Sequence, residues 1–196
     1  MRGGTVVGQG GAEVTFPTRL HLGCGVKYIP GFFHVDALSF PHIDHQGPVD
    51  DLPYIASDSV ELLYACHLLE HFGRNEIDAV LTEWLRVLKP GGVLRIAVPD
   101  FGACAQLYVA GKLPNGLPDV LGLLMGGQRD QYDFHKMAFD ERSLTDRLKR
   151  LGFSSVRRWD WRTTEHASLD DYSQAYLPHM DKEHGTLVSL NLEAVK

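Results

Sequence analysis

The stretch at residues 20–25, LHLGCG, joins a short apolar run to a glycine turn. Leu20 and Leu22 are typical of a buried strand, and the glycines remove side chains where the backbone must turn sharply and approach a ligand. A turn of this kind at the end of a first strand is typical of a site that binds a nucleotide. Because short glycine pairs also occur in ordinary turns, this prediction depends on the residues that follow.

Asp36 follows a second apolar run, residues 32–35, a short distance after the glycine turn. A carboxylate at the end of a second strand can accept hydrogen bonds from both hydroxyls of a ribose. Taken alone, Asp36 is equally well explained as a turn or cap residue. In combination with the glycine turn, it predicts a site for a nucleoside.

A second constellation lies at residues 67–71, where His67, Glu70 and His71 spell H-x-x-E-H. In the inverted zinc peptidase motif, two histidines one helical turn apart bind zinc and the glutamate activates water. That chemistry requires the pentapeptide to lie within a helix and a third ligand to come from elsewhere. Here the pentapeptide begins directly after a predicted strand, so a chance match is the favoured interpretation and no metal is predicted.

The elements that position these residues are indicated by hydrophobic periodicity. Residues 77–88 have the spacing of an amphipathic helix, which stops at residues 89–92, KPGG, because proline cannot continue it. Strand, helix and strand in this rhythm predict parallel βαβ units with right-handed crossovers. The tail alternates apolar and polar residues over 188–194, which predicts a strand with unlike faces that can return antiparallel. The other predicted strands are 19–22, 32–35, 60–65, 93–98 and 153–156, and further helices are predicted at 117–125 and from Asp140 to Gly152.

Composition excludes several classes of protein. The 196 residues carry a formal net charge of −6 and no Lys/Arg cluster, which argues against a nucleic-acid backbone as partner. Three cysteines without paired spacing form no disulfide framework, and no apolar run reaches membrane-spanning length. The N-terminus lacks the pattern of a signal peptide, so a cytoplasmic protein with a small-molecule partner is expected.

A flexible N-terminal arm over 1–15 is predicted to precede one domain over 16–196, in which residues 101–139 form an insertion beside the site.

Four segments together resemble the class I S-adenosylmethionine-dependent methyltransferases, and among them the small proteins with a methyltransferase type 11 domain. The segments are LHLGCG at 20–25, HVD at 34–36, LEHF at 69–72 and LRVLKPGG at 85–92. Each is loose by itself, whereas their order and spacing are specific. The resemblance implies an α/β fold, a Rossmann-like three-layer sandwich whose seven-stranded, mainly parallel sheet has its last strand antiparallel. It also implies S-adenosylmethionine as the cofactor and S-adenosylhomocysteine as the product.

The same resemblance implies where the cofactor binds. Asp36 would hold the ribose hydroxyls. The methionine portion and the sugar would lie against the glycine turn, which comprises Leu22, Gly23, Cys24 and Gly25. The cofactor would be contacted again at the end of the fourth strand, by Ala65, Cys66 and His67.

The adenine contact departs from the family pattern. The family has a Gly-Asp pair before the next Leu-Pro, but here the glycine is followed by Pro48. Asp50 or Asp51 takes the role of that acid, or backbone groups between Val49 and Leu52 hold the adenine. At the level of sequence these alternatives stay open.

Methyl transfer to a hydroxyl requires a base to remove the proton, and histidine is the usual base near neutral pH. His135, in the segment DQYDFHK, is the first candidate, since members of the family build the acceptor site after the fifth strand. Tyr132 and Asp133 beside it are predicted to orient its ring or to bind the acceptor. His67 and Asp100 are further catalytic candidates, although Asp100 can equally cap the next helix.

The predicted reaction is methylation of a small-molecule acceptor, with a hydroxyl of a sugar or related metabolite preferred. A subunit that binds the cofactor without turnover is the alternative. His71 belongs to the LEHF segment and is interpreted as structural. The tryptophans near residue 160 fit either a core role or one side of an aromatic wall for the acceptor. That wall would comprise Trp159, Trp161, Arg162, His166, Tyr172 and Tyr176.

Overall fold

The computed structural model describes residues 4–7, 13–16 and 18–196. Its strands are β1 (Gly4–Val7), β2 (Glu13–Phe16), β3 (Arg19–Leu22), β4 (Phe33–Asp36), β5 (His45–Gln46), β6 (Val60–Cys66), β7 (Leu88–Pro99), β8 (Ser155–Arg158), β9 (Tyr176–Leu177), β10 (Thr186–Leu187) and β11 (Ser189–Val195). Its helices are α1 (Ile77–Val87), α2 (Phe101–Val109), α3 (Pro118–Met125) and α4 (Glu141–Leu151), with 3₁₀ helices at Leu69–His71, Trp161–Thr163 and Tyr172–Gln174.

Seven strands form the central sheet, in the order β5-β4-β3-β6-β7-β11-β8. All neighbouring pairs from β5 to β7 are parallel, and β11 runs antiparallel to both β7 and β8. The predicted α/β fold, with a mainly parallel seven-stranded sheet and an antiparallel last strand, is therefore confirmed. The strand order reverses between β3 and β6, and a crevice for a ligand is expected at the carboxyl ends of these strands.

Helix α1 explains the strongest periodic signal in the sequence. It packs on β7 and α4, and its apolar face is buried. Trp84, at the centre of that face, is fully buried, and its indole N–H donates a hydrogen bond of 2.8 Å to the carbonyl oxygen of Val49. Burying an aromatic side chain of this size contributes about 1.5–3 kcal/mol. The helix thereby also fixes the loop that precedes β6.

The turn between α1 and β7 is tighter than the sequence predicts. The helix ends at Val87, and Leu88 already belongs to β7, where it pairs with Val60. A Cβ atom on Gly92 would lie 2.8 Å from the carbonyl oxygens of both Lys89 and Val60, which is closer than any side chain can approach. Glycine at this position therefore lets the chain turn inside the first residues of the strand.

The polar face of β11 is buried, whereas the alternation of residues predicts a strand with one exposed face. Ser189, Asn191 and Glu193 are 0%, 2% and 8% exposed. The side-chain amide of Asn191 donates to the carbonyl oxygen of Ser173, in the 3₁₀ helix that covers this face, at 2.9 Å. Glu193 pairs with Arg95 on the neighbouring strand at 2.9 Å. Polar partners therefore replace solvent along this strand.

The predicted insertion, residues 101–139, contains two helices. Helix α3 begins one residue after the predicted start, whereas α2 is absent from the sequence prediction, because a short run that contains Gly102 gives a weak helical signal. Three strands are displaced along the chain, since β4 begins at Phe33 rather than residue 32, β8 at Ser155 rather than residue 153, and β11 at Ser189 rather than residue 188.

The N-terminal arm predicted over residues 1–15 contains two short strands that the sequence does not predict. Strands β1 and β2 pair antiparallel, with Gly4 opposite Phe16. Residues 1–3 and 8–12 of the arm lie outside the described residues. Among the helices that the structure describes, none combines the length and the apolar character that crossing a membrane requires.

Candidate active site

A cavity of about 660 Å³, here called the first cavity, opens at the carboxyl ends of β3, β4, β5 and β6. Gly23 lies at its base, directly after β3. Its other walls come from the segments 36–38 and 46–50, from His67, Leu68, His71, Phe72 and Glu76, and from Gln131, Tyr132, Phe134 and Lys136. This is the position at which ligands bind in open α/β sheets.

The glycine turn and Asp36 form one hydrogen-bonded unit. Gly23 has φ +60°, and a Cβ atom there would lie 2.5 Å from Cδ1 of Leu68. The N–H of Gly25 donates to Oδ2 of Asp36 at 2.8 Å, and the N–H of Leu38 donates to Oδ1 at 2.8 Å. Each carboxylate oxygen keeps a further lone pair, so the 8% exposed Asp36 can accept two hydroxyls from the cavity. This fits a ribose.

The residues considered for the adenine contact differ in where they lie relative to the first cavity. Asp50 lines the first cavity, together with the backbone that precedes it. Asp51 is exposed and lies outside the cavity lining. Leu52 is fully buried, and its N–H donates to the carboxylate of Glu83 at 2.8 Å. Asp50 and Val49 therefore line the first cavity, whereas Asp51 and Leu52 do not.

Besides Asp51 and Leu52, five residues assigned to the cofactor do not belong to the lining of the first cavity: Leu22, Cys24, Gly25, Ala65 and Cys66. Leu22, Cys24 and Ala65 are at most 3% exposed. Burial, reinforced by the nearby Asp36, raises the pKa of the Cys24 thiol to about 12, so the thiol stays protonated. Burial likewise holds the pKa of Cys66 well above its usual range. These side chains support the strand ends.

A second cavity, of about 440 Å³, lies beside the first and shares His67 and His71 with it. It contains Asp133 and His135, two of the residues predicted to serve the acceptor. Its remaining polar lining comes from the insertion and from the long loop before β11, namely Asp119, Arg129, Tyr172, Tyr176 and His179. His67 and His71 therefore lie between the two cavities, where a ligand in the first cavity could contact a ligand in the second.

The segment 131–136 separates the two cavities. Tyr132, Phe134 and Lys136 line the first cavity, whereas Asp133 and His135 line the second. Tyr132, predicted to bind the acceptor, therefore lies on the same side as the glycine turn. A turn precedes this part of the segment, since the N–H of Asp133 donates to the carbonyl oxygen of Asp130 at 3.2 Å. Asp133 is held on the other side by Arg129, whose Nε donates to its carboxylate at 2.6 Å.

The 3₁₀ helix Leu69–His71 anchors this separating segment. The N–H of Lys136 donates to the carbonyl oxygen of Glu70 at 2.8 Å. Nδ1 of His71 lies 3.2 Å from the carbonyl oxygen of Phe134, and Nδ1 of His135 lies 2.9 Å from that of Leu123. Because each Nδ1 donates its proton to a carbonyl, each neutral ring keeps a lone pair on Nε2. The two rings are perpendicular, with centroids 4.7 Å apart.

His67 is a constrained and weakly basic side chain. It has φ +48°, and its Nε2 lies 3.2 Å from Oγ of Ser189. Burial, together with the nearby His135 and His71, lowers its pKa to about 3. An imidazole with so low a pKa is a poor general base near neutral pH. Burial lowers the pKa of His135 as well, with a smaller contribution from His71.

Glu70 lies between these histidines and is fully buried. Its Oε1 is 3.4 Å from Nδ1 of His67 and 3.9 Å from Nε2 of His135. Neither carboxylate oxygen has a hydrogen-bond partner among the residues that the structure describes. Burial raises the pKa of this carboxyl group to about 8. In the sequence, Glu70 belongs to both the H-x-x-E-H pattern and the LEHF segment, and neither pattern predicts a role for its carboxylate in methyl transfer.

The zinc peptidase geometry is not present at residues 67–71. That motif places two histidines one turn apart on a helix. Here the 3₁₀ helix begins at Leu69, so His67 lies outside it, with a left-handed backbone conformation. The pair formed by His67 and His71 therefore lacks the helical spacing that the motif requires.

Asp100 lies away from both cavities. Its Oδ1 accepts the N–H of Ala103 at 3.0 Å, which caps α2, and its Oδ2 accepts from Arg158 at 3.3 Å. It lines only a shallow surface pocket beside α2 and α4. The capping role that the sequence also allowed accounts for this carboxylate, which lines neither the first nor the second cavity.

The predicted aromatic wall is divided between the core and the second cavity. Trp159 is 8% exposed, and its indole N–H donates to the carbonyl oxygen of Ile96 at 3.1 Å. His166 is buried beside it. Tyr172 and Tyr176 do line the second cavity. Of the six residues predicted to form the wall, these two tyrosines line the second cavity and the other four do not.

Comparison with known proteins gives one family and many similar folds. Residues 24–96 match the family model described as a methyltransferase domain. A methyltransferase structure from Archaeoglobus fulgidus, described as S-adenosylmethionine-dependent, is 13% identical with a TM-score of 0.54, over 91% of this chain and 85% of that one. The 1,6-didemethyltoxoflavin-N1-methyltransferase of Burkholderia thailandensis, solved with 1,6-didemethyltoxoflavin and S-adenosylhomocysteine, is 14% identical with a TM-score of 0.55, over 91% of this chain and 70% of that one. A comparison with curated protein sequences finds no match. At these identities the likeness to solved structures establishes the fold.

Proposed function

We propose that this chain, which has the fold and the signature segments of a class I S-adenosylmethionine-dependent methyltransferase, binds S-adenosylmethionine in the first cavity and methylates a small acceptor in the second. The observation that carries the proposal is the meeting of the two cavities at His67 and His71. A donor and an acceptor bound on either side would be aligned for direct transfer. Alignment alone can supply roughly 7–11 kcal/mol of a reaction barrier.

The first cavity is proposed to hold the donor through the unit formed by the glycine turn and Asp36. The N–H groups of Gly25 and Leu38 fix the carboxylate of Asp36. That carboxylate would accept the ribose hydroxyls, and the lining at 46–50, which includes Asp50, would surround the adenine. When bound, S-adenosylmethionine supplies an electrophilic methyl group on a sulfonium.

The acceptor is proposed to be small and hydroxylated, such as a sugar or a related metabolite. The second cavity is lined by charged and phenolic groups, among them Arg129, Asp133 and Tyr172. The net charge of −6 and the lack of a basic cluster disfavour a nucleic acid. The Burkholderia neighbour, whose bound acceptor is a small heterocycle, is consistent with an acceptor of this size.

The transfer is proposed to occur at the junction of the cavities. A lone pair of the acceptor oxygen forms the new O–CH₃ bond while the S–CH₃ bond breaks, and the bonding pair stays on sulfur to give S-adenosylhomocysteine. The hydroxyl proton must leave, and His135 is the proposed group that activates the hydroxyl, because its Nε2 lone pair is free. A positioned base typically adds about 10²–10⁴-fold in rate.

Acceptor-dependent formation of S-adenosylhomocysteine tests this proposal. We expect turnover with at least one member of a panel of sugars and hydroxylated metabolites. The His135→Ala variant should lower kcat by about 10²-fold or more with that acceptor. Its affinity for S-adenosylhomocysteine should stay unchanged, because His135 lines only the second cavity.

Two results would contradict these assignments. Binding of S-adenosylhomocysteine without turnover on any acceptor would favour the non-catalytic subunit. An unchanged kcat in His135→Ala would remove His135 from the reaction. His184→Ala is the matched control, since this histidine is exposed and pairs only with the nearby Asp181.

A further inference from the structure

The carboxylate of Glu70 is the most unusual polar group in the described part of the chain. It is fully buried, and neither of its oxygens accepts a hydrogen bond. Burying an unpartnered carboxylate is costly, so such groups in folded proteins are protonated, paired or bound to a metal. A proton or a cation bound to the Glu70 carboxylate would remove this cost.

Two histidines from separate segments face this carboxylate. Ligand atoms of Glu70, His71 and His135 all lie within 4.8 Å of one another. Both imidazoles donate from Nδ1 to backbone carbonyl oxygens, of Phe134 and Leu123. Metal-binding histidines characteristically show this arrangement, because it fixes the tautomer and orients the Nε2 lone pair. The cluster thus combines two oriented nitrogens with one unpaired carboxylate.

We propose that Glu70, His71 and His135 bind one divalent transition-metal ion, with Zn²⁺ as the first choice, where the two cavities meet. Two imidazoles and one carboxylate are a ligand set that zinc and its neighbours in the periodic table accept. A tetrahedral zinc site with bonds of ~2.1 Å separates its ligand atoms by roughly 3.4 Å. Oε1 of Glu70 and Nε2 of His135 are already 3.9 Å apart, so small side-chain rotations would close the site.

Three protein ligands would leave a coordination position open, which is the pattern of catalytic rather than structural zinc sites. This consequence rests on the proposed function. A hydroxyl at that position would lose its proton to solvent more easily, because a divalent ion lowers the pKa of an oxygen ligand. His135 would then act on the acceptor as a ligand of the ion rather than as the base itself.

The sequence patterns alone predict no metal in this protein. The proposed metal site differs from the zinc peptidase pattern, because the pair of histidines is His71 with His135 and not His67 with His71. The competing account is a protonated Glu70 that donates to Nδ1 of His67, 3.4 Å away. That nitrogen is free to accept, since Ser189 donates to Asn191 and therefore receives the Nε2 proton of His67.

Zinc binding to the purified chain, free of any histidine tag and treated with a chelator, distinguishes the two accounts. We expect one equivalent of Zn²⁺ per chain, and Co²⁺ in its place should give the visible ligand-field bands of a cobalt ion bound by imidazole and carboxylate. Glu70→Gln and His135→Ala should each weaken zinc binding by at least about 100-fold, the upper end of the loss seen for outer-shell partners. His184→Ala, which removes an exposed histidine outside the cluster, should bind zinc like the wild type.

Titration of the same samples with S-adenosylhomocysteine provides the control for folding. If wild type binds S-adenosylhomocysteine but no zinc, or if Glu70→Gln and His135→Ala bind zinc as tightly as wild type, the metal site is refuted. The proposed methyltransferase activity would survive that outcome. Should Glu70→Gln fail to fold, His135→Ala decides alone. Zinc binding without any binding of S-adenosylhomocysteine would support the metal site and overturn the proposed function.

Discussion

At the scale of single residues, Asp36 connects the sequence most directly with the site. Its place after a strand and a glycine turn predicts a ribose contact, and the structure puts its carboxylate in the first cavity. The roles of Tyr132 and His135 could not be separated in this way. Which side of the separating segment each one faces depends on hydrogen bonds to Glu70 and Leu123, and the sequence does not reveal such long-range contacts.

Replacing Asp36 by alanine should weaken binding of S-adenosylhomocysteine by about 10-fold or more. The expected loss is that of at least one hydrogen bond to a charged group, about 1.5–3 kcal/mol. Asp51→Ala is the matched control, because Asp51 is exposed and lies outside the cavity lining. Calorimetry on both variants checks the prediction. Equal affinities in Asp36→Ala and wild type would remove the ribose assignment.

At the scale of elements, apolar runs predict most of the strands and helices that carry the core, including α1, whose buried face has the expected spacing. Helix α2, which buries Cys104 and Leu107, and the polar face of β11 are exceptions. Alternation along a strand shows that its two faces differ, but it does not show what covers them. Here the cover is the 3₁₀ helix Tyr172–Gln174, which the sequence could not place because it is held by Asn191 from a distant strand.

Asn191→Ala should lower the free energy of unfolding by about 1–3 kcal/mol, since it leaves buried polar groups of Ser173 and Ser189 without their partner. It should also raise KM for the acceptor, because Tyr172 in the same 3₁₀ helix lines the second cavity. Chemical denaturation measures the first effect. Asn115→Ala, at an exposed asparagine, should change the free energy of unfolding far less; equal losses in the two variants would contradict this account.

At the scale of the whole molecule, the family resemblance predicts a seven-stranded, mainly parallel sheet with its last strand antiparallel, and the structure confirms this fold. The resemblance could not predict that several buried histidines would cluster on and beside the sheet. His21 and His34 lie on neighbouring strands with ring centroids 5.5 Å apart, and His166 packs against Tyr64 beside them. None of these histidines is more than 5% exposed.

These histidines should make the stability of the protein depend on pH. Burial is the main cause that holds the pKa of His21 well below its usual value, and His34, His166 and His42 lower it further. Burial also lowers the pKa of His34, against the opposing effect of Asp44, and that of His166. Because the unfolded chain takes up protons below about pH 6.5 and the folded chain does not, stability is complete above that pH and is lost as the pH falls.

Each such histidine contributes a slope of up to about 1.4 kcal/mol per pH unit. The free energy of unfolding should therefore fall between pH 7 and pH 5, as measured by urea denaturation at a series of pH values. His21→Phe should reduce the slope, because it removes one buried histidine whose pKa is lowered. A stability that is flat over this range would contradict the neutral, buried state of the cluster.

The central claim is that the first cavity binds S-adenosylmethionine and its product. Calorimetric titration of the metal-free chain with S-adenosylhomocysteine tests it most directly, because the measurement requires no knowledge of the acceptor. We expect saturable binding at one site per chain. Absence of binding in protein shown to be folded would mean that the glycine turn and Asp36 do not form a cofactor site.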